Sequence, residues 1–125
     1  AGGGGTGGEG GRSMVLIVGG MAQGKLDFAR RELGVAAWHA GALGPEDCVY
    51  GLQDVLRAQA EADVLAWCDT HPAGVLICEE GGRGATPLAR EDRVWREKVG
   101  RTCCRLAERA EAVYRVHCGL GVRIK

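Results

Sequence analysis

Met14-Val-Leu-Ile-Val18, followed by Gly19-Gly20-Met21-Ala22-Gln23-Gly24-Lys25-Leu26, is the stretch that decides the fold. The first five residues form a continuous apolar run rich in β-branched side chains, which suits a strand buried on both faces. The next residues match G-x-x-x-x-G-K, and Lys25 to Leu33 carries helix-forming residues with Gly34 as the C-terminal stop. A strand, a glycine-rich loop and a helix in that order are the setting a phosphate-binding loop requires. Glycines let the backbone bend until its N–H groups converge on phosphate oxygens. The helix start adds a favourable dipole, and Lys25 reaches the β- and γ-phosphates. The last motif position departs from the pattern. Ser or Thr is wanted there to hold Mg²⁺ with its hydroxyl, and Leu26 has no oxygen to offer. Phosphates can still be cradled, while metal-dependent transfer is weakened or lost.

Outward from this stretch the same alternation continues. Val35 to Ala40 is expected as a second strand, and 41–45 as a loop. Residues 46–69 read as helix, broken near the middle, because Val49, Leu52 and Leu56 fall at i, i+3 and i+7. Val75-Leu-Ile-Cys78 is a clear buried strand. Arg90 to Ala110 is the strongest helix, with Trp95, Val99, Leu106 and Ala110 on one face. Its pairs Asp92/Arg96 and Glu97/Arg101 are expected on the wet face. Ala112 to Cys118 is a third buried strand, after which Gly119 to Gly121 turns into a short end, 122–125. The order predicts an α/β protein, a P-loop NTPase-like three-layer fold with a small, mostly parallel sheet and crossover helices.

Composition narrows the class. Of 125 residues, 22 are glycine, far above the average of roughly 7%. Eight of these lie in residues 1–13, which read as a flexible leader or linker, with Met14 as the expected start of a working domain over 14–125. The glycines have no three-residue period, which excludes collagen, and 46% apolar residues exclude global disorder. No apolar run is long enough for a membrane helix, so no membrane partner is expected. Sixteen basic and sixteen acidic residues give zero net charge, against electrostatic capture of nucleic acid. Residues 1–82 nevertheless carry the acidic excess and 83–125 the basic one, with Arg83 and Arg90 placed to meet phosphate. Six cysteines lie at spacings that make neither a zinc site nor a disulfide framework. They read as reduced cytoplasmic thiols packed as small apolar side chains.

A second site is expected where the strand Val75–Cys78 ends, because ligands of open α/β sheets sit outside the carboxyl ends of strands. Glu79 and Glu80 stand there, followed by Gly81-Gly-Arg-Gly84. A carboxylate here could hold Mg²⁺ or accept a proton from a substrate hydroxyl. His39, His71 and His117 are isolated and read as ordinary surface or core histidines.

Glu79-Glu-Gly-Gly-Arg-Gly-Ala-Thr-Pro87 resembles the Asn-Glu-Val-Gly-x-Gly-x-Val-Pro segment of the adenosylcobinamide kinase / adenosylcobinamide-phosphate guanylyltransferase family. Trp95-Arg-Glu97 with Gly100 is similar to that family's Phe-Arg-Asp-x-x-Gly, and Ala110-Glu-Ala-Val-Tyr114 to its Ala-Asp-Glu-Val-Tyr. Cys118-Gly-Leu-Gly-Val-Arg-Ile-Lys125 is similar to its closing Gly-Leu-Pro-Leu-Arg-Leu-Lys, and Gly19 to Lys25 to its Gly-Gly-Ala-x-Ser-Gly-Lys. The resemblance implies a cytoplasmic enzyme of cobalamin biosynthesis that phosphorylates the aminopropanol hydroxyl of adenosylcobinamide with ATP or GTP and Mg²⁺. It also implies a homo-oligomer, commonly a trimer. On it, residues 19–26 bind nucleotide and Lys25 and Glu80 are catalytic. Asp47-Cys48 aligns with an Asp-Cys-Leu-Thr segment whose Asp would serve Mg²⁺ together with Glu80. The family's middle region is longer and carries a His-x-x-Arg segment that this chain lacks, so the guanylyltransferase step is expected to be lost. Leu26 keeps a second reading open, a non-catalytic nucleotide- or corrinoid-binding module.

Overall fold

The computed structural model describes residues 14–80 and 89–125. The leader 1–13 and the loop 81–88, with Arg83 and the Gly81–Gly84 run, lie outside the described residues. The strands are β1 (Val15–Gly19), β2 (His39–Ala40), β3 (Cys48–Tyr50), β4 (Val75–Glu79), β5 (Ala112–His117) and β6 (Leu120–Arg123). The helices are α1 (Lys25–Glu32), α2 (Leu52–Ala58), α3 (Glu61–Thr70) and α4 (Arg90–Arg109). They form one sheet in the order β2-β3-β4-β1-β5-β6, parallel throughout except for β6. This is an α/β fold of the P-loop NTPase-like kind.

The period-two geometry of strands sorts the apolar runs between two cores. Leu16 and Val18 of β1 and Leu76 and Cys78 of β4 face α2, α3 and α4, where they meet Leu52, Leu56, Val64, Trp67 and Leu106. Ile17 and Ile77 face the other way, toward Phe28 and Ala29 of α1, with Val35 and Trp38 packed alongside. Strands buried on both faces must be apolar at every position, and that is why Met14 to Val18 and Val75 to Cys78 stood out as unbroken runs. β1 is central. The chain leaves it through α1 toward β2, β3 and β4 on one side, and returns through α4 to β5 on the other. Its carboxyl end is therefore the point where strand order reverses, the place where such sheets bind ligands.

Five expectations need correction. Residues 48–50 are a strand and not the start of a helix. Val49 buries into the same core as Leu52 and Leu56, so a strand residue and a helix together mimic helical spacing. Gly51, at φ 81°, makes the corner between them, and its N–H donates to Ile77 O. The second strand is only His39–Ala40, because residues 35–38 pack as an irregular segment beside α1. The closing segment is an antiparallel strand. Cys118 (φ 53°) and Gly119 (φ 76°) have the two positive φ values of a type I′ turn, so β5 and β6 form a tight hairpin. On α4 the carboxylate and guanidinium groups pair across helices: Asp92 meets Arg57 at 3.6 Å, and Arg101 meets Glu61 at 3.5 Å. The cysteines are free thiols, with Cys48, Cys68 and Cys78 buried, but Cys104 and Cys118 are exposed and are not core residues. Among the described residues no helix is long and apolar enough to cross a membrane.

Candidate functional site

β1 delivers Gly19 at the carboxyl edge of the sheet, hydrogen-bonded on one side to β4 through Glu80 N to Gly19 O, 2.8 Å. A side chain at Gly19 has no room: its Cβ would stand 2.6 Å from Val116 O. Gly24 has φ 83°, the left-handed conformation that lets the loop turn directly into α1, and no side chain caps that helix. The first-turn N–H groups of α1 therefore remain available to an anion. Ala22 also sits at φ 55°, a conformation that costs a non-glycine residue on the order of 1 kcal/mol. The β5–β6 turn braces the loop. Cys118 N donates to Gln23 Oε1 at 2.7 Å and Gly119 N donates to Gln23 O at 2.8 Å. The sequence reading gave the closing turn no such part.

Lys25 is 6% exposed. Its ammonium folds back over the loop and donates to Gly20 O at 2.5 Å. Burial holds its pKa below the ordinary lysine value, opposed by the charge of Glu79 and then by Cys78 and Glu80. The β4 end therefore supplies the negative charge that faces this lysine. Met21 is exposed, and Leu26, in the first turn of α1, is partly buried against the core around Ile17 and Phe28. Leu26 is a packing residue and brings no ligand atom to the loop.

Glu79 and Glu80 have different surroundings. Glu80 is exposed, and its Oε1 accepts from Arg115 Nη1 at 2.5 Å. Glu79 is partly buried and clamped by Gln53: Glu79 N donates to Gln53 Oε1 at 2.9 Å, and Gln53 Nε2 donates to Glu79 Oε1 at 3.3 Å. Gln53 is in turn fixed by Trp95 Nε1, which donates to Gln53 O at 2.8 Å. Gln53 and Arg115 had not been singled out, because each becomes relevant only when strand pairing and helix packing bring it to the β4 end. A cleft of about 340 Å³ opens beside these groups, lined by Val18, Gln53, Glu79, Trp95, Val99 and Cys103 among others. Its walls are mainly apolar, with the carboxylates at one end.

Asp47 is not part of this site. It precedes β3, and its carbonyl accepts from Val75 N at 2.7 Å, at the amino end of the strands. The P-loop leaves the carboxyl end of β1, four residues along the sheet from the Val15–Val75 pair. At about 3.3 Å per residue that is roughly 13 Å away, along the strands alone. Sequence proximity to a family motif had suggested a magnesium ligand; parallel pairing puts Asp47 at the wrong end. Among the described residues no three His, Cys, Asp or Glu side chains converge as a metal site. With Leu26 packed against the core and Glu80 on Arg115, the donors at the loop do not make a magnesium site of their own. Arg90 opens α4 in an outlying hollow with Leu56, Arg57 and Trp95, whereas among the described residues Arg115, on Glu80, and Arg96, in the cleft lining, lie at the strand ends.

No family model matches the sequence. The chain is similar to the bifunctional adenosylcobalamin biosynthesis protein CobU of Escherichia coli (strain K12), at 33% identity over 89 residues. The match takes in 70% of this chain and 49% of that protein. The chain thus shares sequence with an adenosylcobalamin biosynthesis protein along most of its own length, and spans about half the length of that curated relative.

Proposed function

We propose that residues 14–125 form a nucleotide-binding domain of cobalamin biosynthesis that uses ATP or GTP to phosphorylate the aminopropanol hydroxyl of adenosylcobinamide. The observation that carries the reading is the loop between β1 and α1, with Lys25 buried beneath it and two carboxylates at the adjoining end of β4. The similarity to CobU supports the pathway, and the proposed loss of the guanylyltransferase step is drawn from the family resemblance, whose His-x-x-Arg segment has no counterpart in residues 14–125. In this reading residues 19–26 hold the phosphates through backbone N–H groups and the α1 dipole. Lys25 leaves the Gly20 carbonyl for the β- and γ-phosphates and stabilises charge on the phosphoryl group in flight. Catalysis of this kind is chiefly positioning and electrostatics, which backbone and one lysine can supply. Glu80 stays a candidate for substrate contact, but Glu79 has the better-fixed carboxylate, because Gln53 holds it in one orientation. The corrinoid's hydroxyl-bearing arm would approach from the cleft beside Trp95. Cytoplasmic location and a trimeric assembly belong to the same proposal, drawn from the family resemblance.

Leu26, a packing residue with no oxygen for a metal, favours a second reading, a nucleotide- or corrinoid-binding module that transfers nothing. The two are separated by titrating ATP and GTP with and without Mg²⁺, in the native chain and in Leu26→Thr. A kinase gains affinity or turnover from Mg²⁺, more so in Leu26→Thr. Equal binding across these conditions without phosphoryl transfer supports the module, and no nucleotide binding at all removes the kinase reading and the nucleotide-binding form of the second.

A further inference from the structure

Two thiols meet in the cleft beside the P-loop, in a role that phosphate binding does not use. Cys78 is the fourth residue of β4 and is 2% exposed. Cys103, in the middle of α4, is partly buried against the same core. Both line the cleft, and Cys103 packs against the core cluster that holds Cys78, whose thiol donates to Glu79 O at 3.7 Å. The other four cysteines are placed differently. Cys48 belongs to the core on the opposite face of the sheet, Cys68 sits on α3 near Arg109, and Cys104 and Cys118 are exposed. The neighbours Cys103 and Cys104 thus diverge, one inward to the cleft and one outward.

We propose that Cys78 and Cys103 are an oxidisable pair, a redox modification site in the wall of the cleft at which a peroxide converts two thiols into one disulfide joining β4 to α4. Cys103 is the more accessible of the two and reacts first. Its sulfur attacks a peroxide oxygen, the O–O bond breaks, and a sulfenic acid forms with release of water. The Cys78 sulfur then attacks the sulfenic sulfur, giving up its proton as a second water leaves. Two thiols and one hydrogen peroxide become one disulfide and two waters. The bond ties the strand that ends in Glu79 and Glu80 to the helix across the cleft. It therefore fixes one wall beside Lys25 and needs neither nucleotide nor corrinoid to form.

The test uses a Cys104→Ser, Cys118→Ser chain, which removes the exposed thiols and leaves Cys103 alone in its tryptic peptide, 102–105. The folded protein is treated with hydrogen peroxide, alkylated with iodoacetamide, and digested without reductant for mass spectrometry. The expected product is peptide 102–105 joined to peptide 58–83, with fragment ions placing the bond at Cys78 rather than Cys68. Dithiothreitol removes it, and so does either Cys78→Ala or Cys103→Ser. The last lies at a partly buried position and keeps the comparison usable if the buried Cys78→Ala chain does not fold. Recovery of Cys103 as alkylated thiol or sulfinic acid without a cross-link, or a bond to Cys68, overturns the proposal.

Discussion

Replacing Lys25 by methionine keeps the buried aliphatic stem and deletes the charge. Its expected effect can be worked from the contacts present. A charged donor hydrogen-bonded to phosphate contributes about 1.5–3 kcal/mol net. Lys25 must first give up its bond to Gly20 O, a loss of about 1 kcal/mol by the same measure. The net is about 0.5–2 kcal/mol, which is roughly 2- to 30-fold in dissociation constant. Isothermal titration of ATP or GTP against both chains reads this directly. Folding should not suffer, because Lys25 is held at a depressed pKa chiefly by burial. The sign follows from proton linkage. Between the lowered folded value and the ordinary value of 10.5, the unfolded chain binds more protons at this site. The wild type therefore gains stability relative to Lys25→Met as pH rises through that interval, and below it carries the full cost of a buried ammonium. Thermal melts of both proteins across the alkaline range isolate the effect, since the other titrating groups are common to both. If Lys25→Met binds triphosphate as well as the wild type, the lysine has no part in phosphate binding and the loop reading fails.

Gly19→Ala puts a methyl 2.6 Å from Val116 O, so it should cost about 1–3 kcal/mol of stability and weaken nucleotide binding together, seen in denaturant melts and titration. Thr102 is fully buried on α4 with no hydrogen-bond partner for its hydroxyl. Thr102→Val should stabilise by about 1 kcal/mol, and a lower melting temperature would show that the hydroxyl has a partner. Cys118→Asn places a residue tolerant of positive φ in the β5–β6 turn and should raise the melting temperature, with a gain of at most about 1 kcal/mol. Asp47→Ala should leave nucleotide affinity and its Mg²⁺ dependence unchanged, because the side chain lies at the amino end of the sheet.

The parts of the fold that could be read from sequence are those fixed by local chemistry. β1, the loop and α1 are contiguous, and each residue type there has one plausible conformation. β4 and α4 were equally plain, as an unbroken apolar run and a long amphipathic pattern. Reading failed where two elements share one core. Val49 and Leu52 lie on either side of Gly51 yet bury together, so periodicity could not separate strand from helix. The closing hairpin was hidden because Cys118-Gly119 performs a turn usually signalled by Asn-Gly. At the candidate site, Lys25 was evident from its motif, but Gln53, Arg115 and the placing of Cys78 and Cys103 in one cleft depend on partners 25 to 35 residues away. Asp47 was misplaced for the complementary reason: a motif carries residue types but not which end of a strand they occupy.

The most direct measurement is incubation of the purified chain with adenosylcobinamide, Mg²⁺ and either ATP or GTP, followed by mass spectrometry of the corrinoid. The account predicts a corrinoid carrying one added phosphoryl group, formed by the native chain and lost or sharply reduced in Lys25→Met. Unmodified corrinoid in the presence of a nucleotide that demonstrably binds would contradict it.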